Sequence, residues 1–240
     1  KRIISTLALC AVSMTALMST GCGKSEDNVK IACEKGLSEI AISDHGPGHL
    51  TYGIKWDDVP KMRKDIEEAN NKYPVKVWMS VEANIIDKGN GLDVSKDEVS
   101  AFDFIIAGYH YGIRNGYCIR NWLDFHGLKD KKLIVKNTDM TINAIYENDI
   151  KILTHPGDKG PFDIAEIAKA CAKRGTWMEI STHHPDLTVE GIRTAAKEDV
   201  RFIISSDAHI PSNVGEFKGG IERAVAAGLD LDRIVNIRRI

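Results

Sequence analysis

The chain has 240 residues, a length that fits one large α/β domain or two smaller domains. Its 32 Lys and Arg residues nearly balance 34 Asp and Glu residues, which disfavours a basic nucleic-acid-binding surface and an acidic disordered tail. Five scattered cysteines without a Cys-x-x-Cys pair do not indicate a disulfide framework or a thiolate zinc site. Because 43% of the residues are hydrophobic, we expect a soluble protein with an ordinary core.

Segment 1–23 is unusual because it carries no charge after Arg2. Its basic start, apolar middle and small residues before Cys22 are typical of a secretory signal, and residues 19–22 loosely resemble a lipoprotein cleavage box. The same apolar run fits a buried, degenerate first strand over residues 3–12. A wrongly joined start is a third interpretation. We expect a cytoplasmic protein, with an exported lipoprotein as the alternative.

Residues 24–240 alternate short apolar runs with amphipathic stretches, which predicts an α/β domain with a parallel sheet. The candidate strands are 39–43, 75–81, 102–107, 151–154, 177–180 and 202–205. Six strands, or seven with 3–12, favour a distorted (β/α)7 barrel of TIM-like form in a single domain over a doubly wound sheet. Two longer stretches, 84–99 and 112–131, are predicted to be irregular.

Helix boundaries are indicated by capping residues. Apolar residues from Ile164 to Cys171 recur at helical spacing, and Gly175 is placed to end that helix. Thr188 is predicted to cap the next helix, and Asn213 the last long one, which ends near Gly228.

Potential metal ligands follow nearly every predicted strand. In parallel β/α folds the carboxyl ends of the strands meet at one edge, where active sites gather. Imidazole and carboxylate groups there are suitable ligands for Zn²⁺, Mn²⁺ or Fe²⁺, and such groups are rarely buried without a partner or a metal. The residues in these positions are His45, Glu82, His110, His155, Glu179, Asp207 and His209.

Other polar residues have weaker patterns. His49 and His126 fall outside the strand-end pattern and are predicted to lie in solvated loops. The pair His183-His184 is a candidate for substrate contact. Arg114 and Lys159 are candidates for phosphate contact, although ordinary solvated charges are the favoured interpretation.

The strand-end motifs resemble those of the PHP family, the polymerase and histidinol phosphatase metallohydrolases, across roughly residues 26–238. Bacterial members of the histidinol-phosphatase-like type are the most similar. The resemblance implies a distorted seven-stranded barrel and a centre of two or three divalent metals. The motifs are Ser43-Asp44-His45-Gly46, Val81-Glu82-Ala83-Asn84-Ile85, Ala107-Gly108-Tyr109-His110, Thr154-His155-Pro156-Gly157 and Ser206-Asp207-Ala208-His209.

The resemblance also implies the role of each ligand. Glu82 would bridge two metals, and His110 and His155 would complete the second of them. Asp207 would bind the first metal, and His45 and His209 would hold a third.

The chain departs from the family pattern near its start, because no histidine precedes His45. The family has a His-x-His motif at the end of its first strand and another histidine a few residues later. The family spacing places these three histidines near Val12, Met14 and Thr20. The first metal would therefore keep only Glu82 and Asp207.

These residues predict a metal-dependent phosphoester hydrolase, specifically a phosphomonoesterase acting on a small phosphorylated substrate. Two divalent ions could activate a hydroxide and bind the phosphoryl oxygens. Asp207 and His209 are the candidate catalytic residues, with His209 as the proton donor. The alternatives are a non-catalytic or impaired metal-binding barrel and a nuclease-type phosphodiesterase, which the charge balance disfavours. Amidohydrolase chemistry lacks support because no candidate for a carbamylated lysine is evident.

Overall fold

Seven parallel strands form one sheet in the part of the chain that the structure describes, a computed structural model covering residues 12–16, 23–113 and 117–237. Each strand pairs with the next one along the chain, and β1 also approaches β7, so the sheet is curled. The strands are β1 (Val12–Ala16), β2 (Glu39–His45), β3 (Lys76–Asn84), β4 (Phe104–Gly108), β5 (Ile150–Leu153), β6 (Trp177–Ser181) and β7 (Phe202–Ser205).

Helices occupy most of the connections between strands, as crossovers between parallel strands require. A 3-10 helix over Glu98–Ala101 lies between β3 and β4, where the chain has no α-helix. The helices are α1 (Gly23–Glu34), α2 (Val59–Lys72), α3 (Cys118–Phe125), α4 (Leu133–Glu147), α5 (Ile164–Arg174), α6 (Val189–Ala195) and α7 (Lys218–Ala227).

Both faces of the sheet are apolar, which explains why its strands appear as nearly continuous hydrophobic runs. One face packs with the helices into the main core, to which Ile40, Met79 and Ile180 contribute. A smaller cluster on the other face consists of Ala41, Ile106, Ile152 and Ile203. Because strand residues alternate between faces, the strand ends can direct polar side chains into a pocket above this smaller cluster.

The capping predictions are mostly confirmed. Gly175 and Gly228 follow α5 and α7 in the left-handed conformation, with φ of 74° and 72°. The Thr188 side chain accepts a hydrogen bond from Gly191 N at the start of α6. The prediction for Asn213 is wrong, because this residue ends a short 3-10 helix and α7 begins at Lys218.

The prediction that 112–131 is irregular is also wrong, because this stretch contains α3. The buried amide of Asn121 anchors the helix by donating to the hydroxyl of Tyr109 and to the side-chain oxygen of Asn137. The apolar residues of α3 recur at helical spacing, but Ile119, Trp122 and Phe125 are exposed, and the helix is held in place through buried Asn121.

The first strand lies later in the chain than predicted. The expectation was a strand over 3–12, whereas β1 is Val12–Ala16 and residues 3–11 lie outside the described residues. Val12 pairs with Glu39 and Ala16 with Ser43, so β1 runs parallel beside β2. Among the helices that the structure describes, none is both long and apolar enough to cross a membrane.

Candidate metal centre

The polar residues at the strand ends converge on one pocket of about 380 Å³. Register explains part of this convergence, because His45 on β2 pairs directly with Glu82 on β3. All six predicted metal ligands line the pocket, together with residues from the loops after the strands. The lining residues are His45, His49, Tyr52, Glu82, His110, Tyr111, Gly112, His155, Asp158, Lys159, His184, Asp207 and His209.

Glu82 is the centre of the site, and its side chain is buried among three imidazoles. Its Oε1 atom lies 2.9 Å from His110 Nε2 and 3.1 Å from His155 Nε2. These two nitrogens are themselves 3.1 Å apart. On the other side of the carboxylate, His45 Nδ1 is 3.8 Å from Glu82 Oε2. One buried carboxylate therefore faces nitrogen atoms from three different strand ends.

This group of side chains fits a divalent metal ion. Among the described residues, the buried Nδ1 atom of His45 has no hydrogen-bond partner, although it faces the Glu82 carboxylate. A ligand atom from each of His45, Glu82 and His110 lies within 4.8 Å of the others. Two nitrogens and a carboxylate oxygen are donors that Zn²⁺ and other divalent transition metals prefer.

The charges of the site also favour a bound cation. Burial opposes ionisation of Glu82, but the neighbouring imidazoles of His45 and His110 hold its pKa well below its ordinary value. Burial lowers the pKa of His110, whereas the hydrogen bond and charge of Glu82 raise the pKa of His155. The neutral His110 can donate a lone pair to a metal, and a metal can replace the proton that His155 holds beside Glu82.

Asp207 follows β7 and carries a second buried carboxylate in the pocket. Burial raises its pKa to about 7, and the nearby negative charges of Glu82 and Glu179 add to this shift. Ionised Asp207 is therefore costly without a compensating cation. The imidazoles of His155 and His184 supply part of that compensating charge.

Three backbone positions in the pocket are strained. His155, Lys159 and Asp207 have φ of 28°, 63° and 44°, and they are the non-glycine residues with positive φ in the described part of the chain. Residues other than glycine rarely adopt positive φ. Such backbone strain persists where the surrounding contacts hold the residue in place. At His155 the backbone N–H donates to the buried Glu179 carboxylate at 2.6 Å.

Glu179 positions the backbone of His155. The sequence pattern includes it among the potential metal ligands but assigns it no role. It accepts hydrogen bonds from Thr154 Oγ1 at 2.7 Å and from Ser205 Oγ, in addition to the His155 N–H. It thereby joins the ends of β5, β6 and β7, the strands that precede His155 and Asp207.

His209 lines the same pocket, but the described contacts do not join it to His45. Its Nδ1 atom is 3.0 Å from the carbonyl oxygen of Asp207, and its ring packs on His183 with centroids 4.8 Å apart. The third metal position that the resemblance implies for His45 and His209 therefore remains a prediction.

His49 lies in the loop after β2, as expected, but it is half-buried and lines the pocket rather than being fully solvated. Its ring stacks between those of His45 and Tyr52, with centroids 5.0 Å away in each case. The turn after β2 folds back over the strand ends because the Asp93 carboxylate accepts from Gly48 N at 2.8 Å. His126, in contrast, is exposed at the end of α3, as predicted.

The two candidate phosphate contacts have different outcomes. The Lys159 ammonium donates to Asp158 and lines the pocket. Arg114 lies outside the described residues.

His184 is partly buried in the pocket beside Asp158, whereas His183 is exposed. Sequence reasoning missed Asp158 as a pocket residue, although it follows His155 by three positions in a strand-end turn.

Gly108 offers a test of how closely the ligands pack. A Cβ atom at Gly108 would lie 2.3 Å from Thr154 Cγ2 and within 3.2 Å of the rings of His110 and His155. We expect Gly108→Ala to lower the free energy of unfolding by about 1–3 kcal/mol, measured by urea denaturation, and to weaken metal binding. Gly219→Ala in α7 is the matched control and should stay within about 1 kcal/mol of the parent. An unchanged Gly108→Ala protein would contradict the described packing.

The fold and the pocket define a TIM-like α/β protein with a histidine-rich site at the carboxyl ends of its strands. Its sequence is similar to proteins described as probable phosphatases. One from Acetivibrio thermocellus is 27% identical over 205 residues, covering 80% of this chain and 75% of that protein. Another from Thermoanaerobacter pseudethanolicus is 28% identical over 224 residues, covering 88% of this chain and 82% of that protein. No protein-family profile matches the sequence.

Solved structures support the fold. The chain superposes on histidinol phosphate phosphatase from Lactococcus lactis, crystallised with zinc, L-histidinol and phosphate, with a TM-score of 0.62 and 15% identity. The match covers 93% of this chain and 95% of the other. A chain in the structure of archaeal ribonuclease P with mature tRNA gives a TM-score of 0.51 at 14% identity. The expected TIM-like fold is therefore confirmed, and the relatives described as probable phosphatases agree with the expected reaction class.

Proposed function

We propose that this chain is a metal-dependent phosphomonoesterase whose active site is the pocket at the strand ends. The observation that carries the proposal is the convergence of three imidazoles on the buried Glu82 carboxylate. The relatives described as probable phosphatases support the reaction class. The similarity to a histidinol phosphate phosphatase that binds zinc supports the choice of a divalent metal.

Glu82, His110 and His155 would hold the best-defined metal ion, with His45 facing the same carboxylate. Asp207 would serve the second position, and His209 would use its Nε2 atom either to ligate a third ion or to transfer a proton. Zn²⁺ and Mn²⁺ are the favoured ions because the donors are nitrogen and carboxylate oxygen. When bound, such ions supply Lewis-acid activation of water and neutralise charge on phosphoryl oxygens. We also propose that the curled sheet closes into a (β/α)7 barrel around this site.

The protein's own residues would donate a proton, orient a metal ligand and bind the phosphate group. The Nδ1–H of His209 points to the carbonyl oxygen of Asp207, which leaves Nε2 as the nitrogen that can give a proton to the leaving alkoxide. Glu179 holds the His155 backbone in its strained conformation. Asp158 holds the ammonium of Lys159 at the pocket, where it can bind a phosphate group.

Lys159 provides a test of phosphate binding. We expect Lys159→Gln to raise KM for p-nitrophenyl phosphate about 10-fold or more, because a hydrogen bond to a charged group contributes about 1.5–3 kcal/mol. Lys169→Gln, which removes an exposed lysine from α5, should leave KM unchanged. Equal KM values for the two variants would show that Lys159 makes no phosphate contact.

One observation favours a second candidate, a metal-binding barrel with little or no turnover. Between the start of β1 at Val12 and the start of α1 at Gly23 the sequence contains no His, Asp or Glu. The resemblance places a His-x-His motif in this interval, so a chain without it would hold its first metal by fewer ligands.

An assay with p-nitrophenyl phosphate separates the two candidates. The full chain is stripped of metal with a chelator and then supplied with Mn²⁺ or Zn²⁺. Turnover that returns with metal and is lost in Glu82→Ala supports the phosphomonoesterase. Stoichiometric metal binding without turnover supports the non-catalytic barrel and contradicts the proposed activity.

A further inference from the structure

His184 lies between two buried carboxylates at the edge of the pocket. Its Nδ1 atom is 3.1 Å from Asp158 Oδ2, and its Nε2 atom is 3.4 Å from Asp207 Oδ2. The Asp158 and Asp207 side chains are only 10% and 5% exposed, whereas that of His184 is 24% exposed. Both ring nitrogens therefore lie beside carboxylates that have little access to water.

The two nitrogens are not equivalent. A neutral imidazole that donates its Nδ1–H to Asp158 turns the lone pair of Nε2 toward Asp207. The Nε2 lone pair and the Asp207 carboxylate oxygen repel each other unless a cation, either a proton or a metal ion, lies between them. Metal-ligating histidines commonly have this arrangement, with the distal ring N–H donated to a carboxylate that fixes the ring orientation.

The spacing of the two atoms suits a metal ion. Ligand bonds of about 2.0–2.2 Å and a tetrahedral angle separate two ligand atoms by about 3.4 Å. The separation between His184 Nε2 and Asp207 Oδ2 is also 3.4 Å. Asp207 lines the pocket and adopts a strained positive φ of 44°, a conformation that often marks functional positions.

We propose that His184 and Asp207 ligate a divalent metal ion together, with Asp158 as the positioning residue for His184. This inference rests on the metal centre of the proposed function and adds a ligand from the loop after β6. It supplies an imidazole to the metal position that would otherwise keep Glu82 and Asp207. His183 does not take this role, because it forms no ion pair with a carboxylate within the described residues and its ring packs on His209.

Metal stoichiometry of the full-length protein tests the proposal without an activity assay. Chelator-stripped protein is titrated with Co²⁺, followed by its visible absorption, and bound metal is counted after dialysis by plasma mass spectrometry. We expect His184→Gln to bind about one equivalent less than the parent, with the spectrum of the Glu82 site retained. His126→Gln, which removes an exposed histidine that does not line the pocket, is the matched control and should bind metal as the parent does.

The positioning role of Asp158 has a different signature. Asp158→Asn should keep the full stoichiometry at saturating Co²⁺ but weaken one site about 10- to 100-fold, as expected when the carboxylate behind a ligating histidine is lost. If Asp158→Asn loses the whole equivalent while His184→Gln retains it, then Asp158 is the ligand and the proposal is wrong.

Circular dichroism and the Tm of each variant establish that it is folded before the titration. A folded His184→Gln protein that binds as many equivalents of Co²⁺ as the parent would overturn the proposal.

The outcomes also separate this inference from the proposed function. If His184→Gln retains every equivalent found in the parent, the His184 site is wrong and the Glu82 centre is unaffected. If His184→Gln loses an equivalent while the parent hydrolyses no phosphomonoester, the His184 site stands and the proposed activity fails. If the parent binds no metal, both are wrong.

Discussion

Replacing Glu82 with glutamine is expected to lower phosphatase turnover by on the order of 10³ and to remove metal from the centre. Metal catalysis supplies several kcal/mol of transition-state stabilisation, and about 4 kcal/mol corresponds to that factor. Glutamine keeps the size of the side chain but not the negative charge that faces His45, His110 and His155. Without this carboxylate a buried cation loses one ligand and the charge that neutralises it, which weakens metal binding.

The measurement is turnover of p-nitrophenyl phosphate together with bound metal in the same preparation. Glu222→Gln, which changes an exposed glutamate on α7, is the matched control and should equal the parent in both. A Glu82→Gln protein that keeps its metal and its turnover would show that the strand-end pocket is not the catalytic centre.

Replacing Glu179 with alanine is expected to produce the largest loss of stability, about 3–5 kcal/mol in the free energy of unfolding. The substitution leaves three buried donors without their acceptor: Thr154 Oγ1, the His155 N–H and Ser205 Oγ. Each unsatisfied buried donor costs about 1–3 kcal/mol. Such a loss is a large part of the stability of an ordinary domain, about 5–15 kcal/mol.

Urea denaturation of the metal-free protein measures this effect. Glu179→Gln keeps one acceptor oxygen and should lose less, about 1–2 kcal/mol. If alanine and glutamine at position 179 lower stability equally and by less than about 1 kcal/mol, then Glu179 does not hold the strand ends together.

The sheet could be predicted closely from the sequence because its strands are apolar on both faces. The predicted strand 202–205 has the same bounds as β7, and 177–180 is one residue shorter than β6. Strand β3 continues to Asn84, three residues beyond the prediction. The buried polar residues Glu82 and Asn84 interrupt the apolar run there. The hydrophobic pattern therefore predicts an end of the strand that is too early.

Contacts between loops could not be predicted, since no local pattern describes them. His49 reaches the pocket because Asp93, far along the chain, accepts hydrogen bonds from Gly48 N and Asn84 N. Asp158 and His184 lie after different strands and meet only in the folded chain. The strand-end ligands were predictable for the opposite reason, because parallel strands bring their carboxyl ends to one edge whatever the loops do.

Anomalous X-ray diffraction from crystals of the full chain, grown with Mn²⁺ or Zn²⁺ and measured at the absorption edge of that metal, tests the central claim most directly. The account predicts an anomalous peak within bonding distance of Glu82, His110 Nε2 and His155 Nε2. An anomalous map without a peak among these three side chains, from crystals soaked in saturating metal, would contradict it.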